Sequence, residues 1–217
     1  MAQHGTAVFA QEQTQGKGQR SRSWASQKDL NIALSLVLEP LTLDPSTPFL
    51  LSMAMALATS DLFFRFIPDE ISIKWPNDLY WRDRKAAGIL IENLWQGQRW
   101  NYAVAGIGIN INQTDFGELA TKAVSLKQIT GKTEDPEALA RLLCTHAETR
   151  YNQLQSDPSS IVGEYNELLY RRGQQVRFRK QGRVFEARLD SVTPQGLLVV
   201  HHGVPENFEV GAIEWLL

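Results

Sequence analysis

A single cysteine, Cys144, stands in 217 residues, so no disulfide framework and no thiolate metal site can be built, in keeping with a reducing cytosol. Long apolar runs are missing too. None reaches the length of a membrane span, and Met1 to Gly5 does not resemble a signal peptide, so the chain reads as cytoplasmic with no membrane partner. Excess charge of one sign is also lacking: a formal net charge of -2 gives no general attraction to nucleic acid, and any basic cluster is read as a local site. There is no internal repeat and no low-complexity linker. What is present is a globular composition, 43% hydrophobic and 9% aromatic, enough for one full domain, or one domain with a small appendix.

Residues 6–11 and 32–38 read as strands with a polar, basic loop between them. Ser46-Thr47-Pro48 offers an N-cap for a helix over 50–66, whose apolar residues are too dense for a one-sided surface helix and place it against a sheet. Strands are predicted over 71–75, 88–95 and 102–109, the last two joined as a hairpin by Gln96-Gly97-Gln98. Asp135-Pro136 and Asp157-Pro158 start two helices. After Arg172-Gly173 the period changes to four or five short strands. The expected fold is α+β, a mixed-sheet domain over 1–172 followed by a small SH3-like barrel over 173–217.

Three segments carry chemistry. Lys74-Trp75-Pro76-Asn77-Asp78 follows an apolar strand; Pro76 ends ladder pairing, so Asn77 and Asp78 are expected to project from a rigid turn. With Lys85 in Lys85-Ala86-Ala87-Gly88-Ile89-Leu90, a fixed amide, a fixed carboxylate and two lysines suit an activated phosphate and its metal. In the stretch from Gln13 to Trp24, Gly16 and Gly18 let successive amides turn toward one anion, and Lys17, Arg20 and Arg22 add positive charge with no acid between them. This is neither a Walker loop nor a dinucleotide fingerprint, because the Gly-Lys-Ser/Thr and the third glycine are missing. In Gly106-Ile107-Gly108-Ile109-Asn110, small residues permit close approach of a flat ligand, and Asn110 supplies donor and acceptor groups at the strand's mouth.

Taken in chain order, these segments resemble the biotin protein ligases (biotin–acetyl-CoA-carboxylase ligases), over nearly the whole chain. The family's Gly-Arg-Gly-Arg-Arg-Gly-Arg-x-Trp loop stands here as Gly16-Lys-Gly-Gln-Arg-Ser-Arg-Ser-Trp24. Lys-Trp-Pro-Asn-Asp, Lys-x-x-Gly-Ile-Leu and Gly-x-Gly-Ile-Asn all match. The resemblance implies that biotin and ATP give biotinyl-adenylate, and that a lysine of a biotin carboxyl carrier domain then takes the biotinyl group. It implies Lys85 and Asp78 as catalytic, and Gln13, Gly16, Lys17, Gly18, Gln19, Lys85 and Gly88 as biotin-binding. Arg20, Arg22, Trp24, Asn77 and Asn110 would serve the nucleotide, with Trp24 as a stacking face for adenine. Asp78 would hold Mg²⁺, or accept charge from the acceptor lysine, or both. A homodimer is left open. Two other readings are carried: a non-enzymatic biotin or nucleotide sensor, and a lipoate-type ligase of the same superfamily.

The chain departs from the family pattern in three places. It shows no Ser-Thr-Asn type segment ahead of Gly5-Thr6, which predicts weakened biotin affinity rather than lost phosphate chemistry. Lys17 and Gln19 replace two loop arginines, which predicts looser retention of the adenylate; equal off-rates in wild type and Gln19→Arg would sink that idea. No helix-turn-helix precedes the catalytic segment, so DNA binding and repression are not expected. His146 and Cys144 read as packing residues, and His201 and His202 lack partners in ligand spacing. Trp75, Trp81, Trp95, Trp100 and Trp215 read as packing aromatics, and Arg177 to Lys180 as a solvated face.

Overall fold

Alternation of large apolar and small residues governs the main sheet, because successive side chains of a strand point to opposite faces. The computed structural model describes residues 3–21 and 24–216. Six strands, β1 (Ala7–Phe9), β2 (Ile32–Leu38), β3 (Ile71–Lys74), β4 (Asp78–Trp81), β5 (Arg84–Gln96) and β6 (Arg99–Ile109), pair in the order β1-β2-β6-β5-β4-β3. Every pairing is antiparallel, which corrects the expected mixed sheet. The cause is local: β3 to β6 follow one another through short turns, and neighbours so joined can only run antiparallel. Among the described residues, parallel contact is confined to single bridges, Ile73 to Leu169 and Lys85 to Ala123.

One face of this sheet is the core. Ile32, Leu34, Leu36 and Leu38 of β2, Ala105, Ile107 and Ile109 of β6, and Ile89 of β5 are all buried. On this face α1 (Phe49–Phe64) packs over β3, β4 and β5, α3 (Pro136–Ser156) lies beside it over β1 and β2, and α4 (Pro158–Glu167) packs against both helices. Being covered on both sides explains why α1 is apolar all round. Ser46 does not cap α1; Pro48 holds the cap position without a side-chain bond, while the Ser46 amide donates to Asp44 Oδ1 at 2.8 Å. Asp135 and Asp157 cap α3 and α4 as their sequences predict. Arg150 of α3 ties the three helices, with Nε to Asp61 Oδ2 at 2.7 Å and Nη1 to Glu164 Oε2 at 2.5 Å. A short helix not foreseen, α2 (Leu126–Thr130), is started by a reciprocal capping box between Ser125 and Gln128 and stopped by Gly131 at φ 76°.

Beyond the core, β5 and β6 continue as a long hairpin whose tip is solvent-facing, with Trp95 and Trp100 stacked 5.5 Å apart. The second sheet comprises β7 (Gln175–Lys180), β8 (Arg183–Val192), β9 (Leu198–His201), β10 (Pro205–Phe208) and β11 (Glu214–Leu216), in the order β10-β9-β8-β7-β11. All of its pairings are antiparallel. Its strands match the expected short elements, but among the described residues β10 and β11 do not pair with each other, so the barrel stays open. Two side chains dock it on the first unit: Trp75 Nε1, from the turn after β3, donates to the Gly196 carbonyl at 2.9 Å, and Asn166 of α4 exchanges two bonds with the Val192 backbone at 2.7 and 3.0 Å. Among the described residues no helix is long and apolar enough to cross a membrane.

Candidate functional site

The sheet face opposite the core carries the site, and its register brings distant residues into one row. Ala33 pairs with Gly108, Gly108 with Gly88, Gly88 with Asp78, and Asp78 with Lys74. Paired residues share a face, so three small residues make a flat floor that runs directly into an acid and a base. Here the structure corrects the expected turn. Asp78 is the first residue of β4, its position set by the ladder on both sides rather than by a loop.

Lys85 Nζ lies 2.6 Å from Asp78 Oδ1, with the two side chains 32% and 23% exposed. The lysine's backbone is equally fixed. Its amide donates to the Lys122 carbonyl at 2.8 Å, and its carbonyl accepts from the Val124 amide at 2.9 Å. Asn110 completes this brace: buried, and outside the cavity lining, it donates from Nδ2 to the Val124 carbonyl at 3.2 Å and the Lys85 carbonyl at 3.4 Å. Asn77 lines the cavity, with its amide nitrogen bonded to the Ile89 carbonyl at 2.7 Å. Tyr165, whose hydroxyl donates to the Pro76 carbonyl at 3.5 Å, is pushed far above its ordinary range by burial and then by the charge of Asp78, so it stays neutral.

Residues 13–21 and Trp24 gather over the floor. The Trp24 amide donates to the Gly16 carbonyl at 2.9 Å, and a Cβ on Gly16 would strike the Trp24 carbonyl and come within 2.9 Å of Gln13 Oε1. The Trp24 indole lies on the two floor glycines. A Cβ on Gly108 would sit 2.5 Å from its Cε2, and one on Gly88 would sit 3.3 Å from its Cζ3. Lys85 Nζ is 5.5 Å from an indole ring centroid, a cation–π distance. Gln13, Lys17, Gly18, Gln19 and Arg20 all border the cavity. Arg20, however, directs its guanidinium to the carbonyls of Val210 at 2.5 Å and Gly211 at 3.4 Å. Arg22 lies outside the described residues.

The resulting cavity measures about 980 Å³ and has a wall that sequence reasoning missed. Trp215, read as a packing aromatic, faces it from β11, and its Nε1 is buried with no hydrogen-bond partner among the described residues. Lys74 Nζ sits 5.5 Å from that ring and 3.1 Å from Tyr80 Oη. Asp83, also in the wall, accepts a short bond from the Tyr170 hydroxyl and a bond from Arg171 Nη2 at 3.0 Å. The Tyr170 hydroxyl first, and Arg171 second, hold the Asp83 carboxyl below the usual range. Tyr170, raised by burial and then by Asp83, is pushed up to about 12. Arg171 and Lys122 bring further positive charge to the same cavity. Chemically, the floor accepts a flat apolar group, and a lysine locked beside it can neutralise an anion held at the floor's end.

Among the described residues, no cluster of three or more His, Cys, Asp or Glu gathers to hold a metal. At the floor's end Asp78 supplies one carboxylate, which suits an ion that arrives with a nucleotide and takes its other ligands from phosphate and water.

Comparison with known proteins agrees with the motifs. The model of the biotin/lipoate A/B protein ligase family matches residues 1–110. The bifunctional ligase/repressor BirA of Bacillus subtilis strain 168 is 32% identical over 205 residues, covering 92% of this chain and 62% of that protein. The biotin–[acetyl-CoA-carboxylase] ligase of Mycobacterium tuberculosis is 29% identical over 181 residues, 82% of this chain and 66% of that protein. The chain thus spans about 62% of the length of its BirA relative. The biotin protein ligase of Aquifex aeolicus, solved with biotin and ATP, shares the fold at a TM-score of 0.85 and 23% identity, covering all of this chain and 90% of that one.

Proposed function

This chain belongs to the biotin/lipoate A/B protein ligase family, and from that premise we propose that it is a biotin protein ligase acting on a biotin carboxyl carrier domain. The observation that carries the reading is the Lys85–Asp78 pair, 2.6 Å apart at the end of the Gly108–Gly88 floor. In the first step a biotin carboxylate oxygen attacks the α-phosphorus of ATP; the bond to the bridging oxygen breaks, and pyrophosphate leaves with its electron pair. Both reactants are anions. A lysine fixed through side chain and backbone offsets their repulsion without reorganising, and a donor of this kind is worth about 100-fold to 1,000-fold in rate. Mg²⁺ entering with ATP would take Asp78 as its protein ligand and offset charge on the phosphates.

In the second step the ε-amine of a carrier lysine attacks the acyl carbon, AMP leaves, and the amine's proton passes to a base. Asp78 is the carboxylate nearest the floor's end and serves as that acceptor. Biotin's fused rings need the floor that Trp24 covers, so loading requires the indole to swing off Gly108 and become a wall. Gln13, Lys17, Gly18 and Gln19 then enclose biotin, with Gly16 holding the loop's turn through its carbonyl, Asn77 and Trp24 face the nucleotide, and Asn110 keeps Lys85 in place. Residues 1–172 are assigned to activation and 173–217 to closing the cavity through Trp215. The test is incubation with biotin, ATP and a biotin carrier domain, following pyrophosphate and labelled acceptor. No label and no pyrophosphate would refute the ligase, and lipoate outcompeting biotin would move the substrate class.

A further inference from the structure

The row that runs from Ala33 to Lys74 does not stop at β3. The outer edge of β3 is taken by the segment after α4: the Ile73 amide donates to the Leu168 carbonyl at 2.7 Å, and the Tyr170 amide donates to the Ile73 carbonyl at 2.9 Å. Ile73 and Leu169 are thereby bridged in parallel, and the next step of that register sets Tyr170 beside Lys74. Leu169 is buried in the core, whereas the Tyr170 ring lies 5.2 Å from Tyr80, itself the strand partner of Lys85. Arg171 follows at φ 59° and reaches the cavity wall together with Asp83. The site thus continues past Lys85 and Asp78 into an outer compartment, with Lys74 on one side and Arg171 on the other. Charge sets this compartment apart. Asp78 is matched by Lys85 and Glu214 by Arg179 at 2.9 Å, so Lys74, Lys122 and Arg171 share the outer wall with one remaining carboxylate, Asp83.

We infer that Lys74 and Arg171 form the leaving-group subsite, holding the pyrophosphate part of ATP while Lys85 holds the α-phosphate, and that Asp83 restrains Arg171 until that polyanion displaces it. A guanidinium carries five N–H donors in a fork, and the bond of Nη2 to Asp83 Oδ1 at 3.0 Å engages one nitrogen, so the others can hold phosphate oxygens. The Asp83 side chain is 72% exposed, and an ion pair so open to water is weak, so the arginine changes partner at small cost. Tyr170 continues to donate to Asp83 once Arg171 has left. In adenylation the electron pair of the broken bond stays on the departing oxygen, and the charge that gathers there meets cations already in place. The name of the occupant rests on the ligase reading; the wall's affinity for a diphosphate does not.

The experiment titrates inorganic pyrophosphate, and separately AMP, into the ligand-free chain with Mg²⁺ present, by calorimetry, for wild type, Arg171→Ala, Asp83→Asn, the double variant and Arg82→Ala. Arg82 shares the β4–β5 turn with Asp83, takes φ 53° and pairs with Glu70 at 2.7 Å outside the cavity, so its loss removes an arginine–carboxylate pair without touching the wall. A urea transition for each variant checks that it is folded. Arg171→Ala should weaken pyrophosphate about tenfold and leave AMP unchanged, because only the longer anion reaches the wall. Asp83→Asn should tighten pyrophosphate about threefold by freeing the guanidinium, and should gain less than that in the Arg171→Ala background. Arg82→Ala should bind both ligands as wild type does. A merely structural Arg171–Asp83 brace would weaken binding in both single variants. Unchanged pyrophosphate binding in Arg171→Ala, an equal loss for AMP, weaker binding in Asp83→Asn, or sulfate binding as tightly as pyrophosphate would each overturn the subsite. Acceptor labelling by the same wild-type chain is followed alongside: label without the Arg171 effect removes the subsite and keeps the ligase, while the Arg171 effect without label supports the wall and removes the ligase.

Discussion

Gly108→Ala offers a direct test of how Trp24 is seated. The added Cβ would stand 2.5 Å from Trp24 Cε2, 2.8 Å from Cζ2 and 2.9 Å from Nε1. Carbon atoms settle at about 3.5 Å, so the indole must rise by about 1 Å, since the β5–β6 ladder is far stiffer than the loop. A buried tryptophan hides roughly 200 Å², of which one face is about 100 Å², or about 2.5 kcal/mol at about 25 cal/mol per Å². A gap of about 1 Å forfeits up to half of that attraction. The loss is then about 1 kcal/mol, roughly fivefold in the ratio of closed to open loop. Gly106→Ala is the control, because its Cβ meets the Leu90 carbonyl at an ordinary 3.6 Å. Gly88→Ala falls between: it meets Lys85 Cε and Nζ at 3.2 Å and Trp24 Cζ3 at 3.3 Å, contacts that a shift of a few tenths of an ångström relieves. The assay is ¹⁹F NMR of fluorotryptophan-labelled protein, the Trp24 line assigned with Trp24→Phe, alongside hydrogen exchange over residues 13–19. If Gly108→Ala and Gly106→Ala shift the Trp24 line equally, or neither does, the seating described here is wrong.

Lys85→Met should lower the rate of biotin-dependent pyrophosphate exchange by about 100-fold to 1,000-fold while the urea midpoint moves little, because the lysine's backbone brace from residues 122–124 is retained. Trp75→Phe strips the donor from the buried Gly196 carbonyl and should cost about 2 kcal/mol in urea unfolding; a loss below about 0.5 kcal/mol would mean that this bond does not join the two sheets. Asp83 titrates below its ordinary 3.8 in the folded chain, so its bonds to Tyr170 and Arg171 contribute above that value and fade as pH falls through the folded pKa. Stability of wild type over Asp83→Asn should therefore shrink as pH falls through the lowered folded pKa, and a constant difference across pH would exclude the linkage.

How far the sequence could be read depended on whether a feature was local. Lys74 to Asp78 and Lys85 are legible because spacing alone sets charged groups into a strand frame, and Asp135-Pro136 and Asp157-Pro158 mark helix starts within a few residues. Asp78 was misread as turn because Pro76 masks the start of a short strand whose alternation, Leu79 inward and Asp78 outward, spans only four residues. The row from Ala33 to Lys74 joins four pairings and cannot be seen without register, which is set by the whole hydrophobic pattern. Asn110 reads as a ligand group at a strand's mouth, yet it points to Val124, whose position depends on the unforeseen helix α2 and its capping box. Trp215 and Gly211 join the cavity only through packing of the second sheet. Their single local clue is Gly211, which follows Val210 between two short strands.

The long β5–β6 hairpin separates two kinds of tolerance along one pair of strands. From Gly88 to the tip at Gly97 the chain travels about 30 Å, past a register shift at Leu94 and Trp95 that isolates the tip from the glycines. A loop spliced in at Gly97, where even an added Cβ would meet nothing within 4 Å, should leave the glycine floor unchanged. A single residue inserted between Lys85 and Gly88 would turn Ala87 and Ile89 outward and bring the glycine to the core side. Length can therefore drift freely at one end of this hairpin in divergent sequences, while at the other the count of residues is itself part of the chemistry.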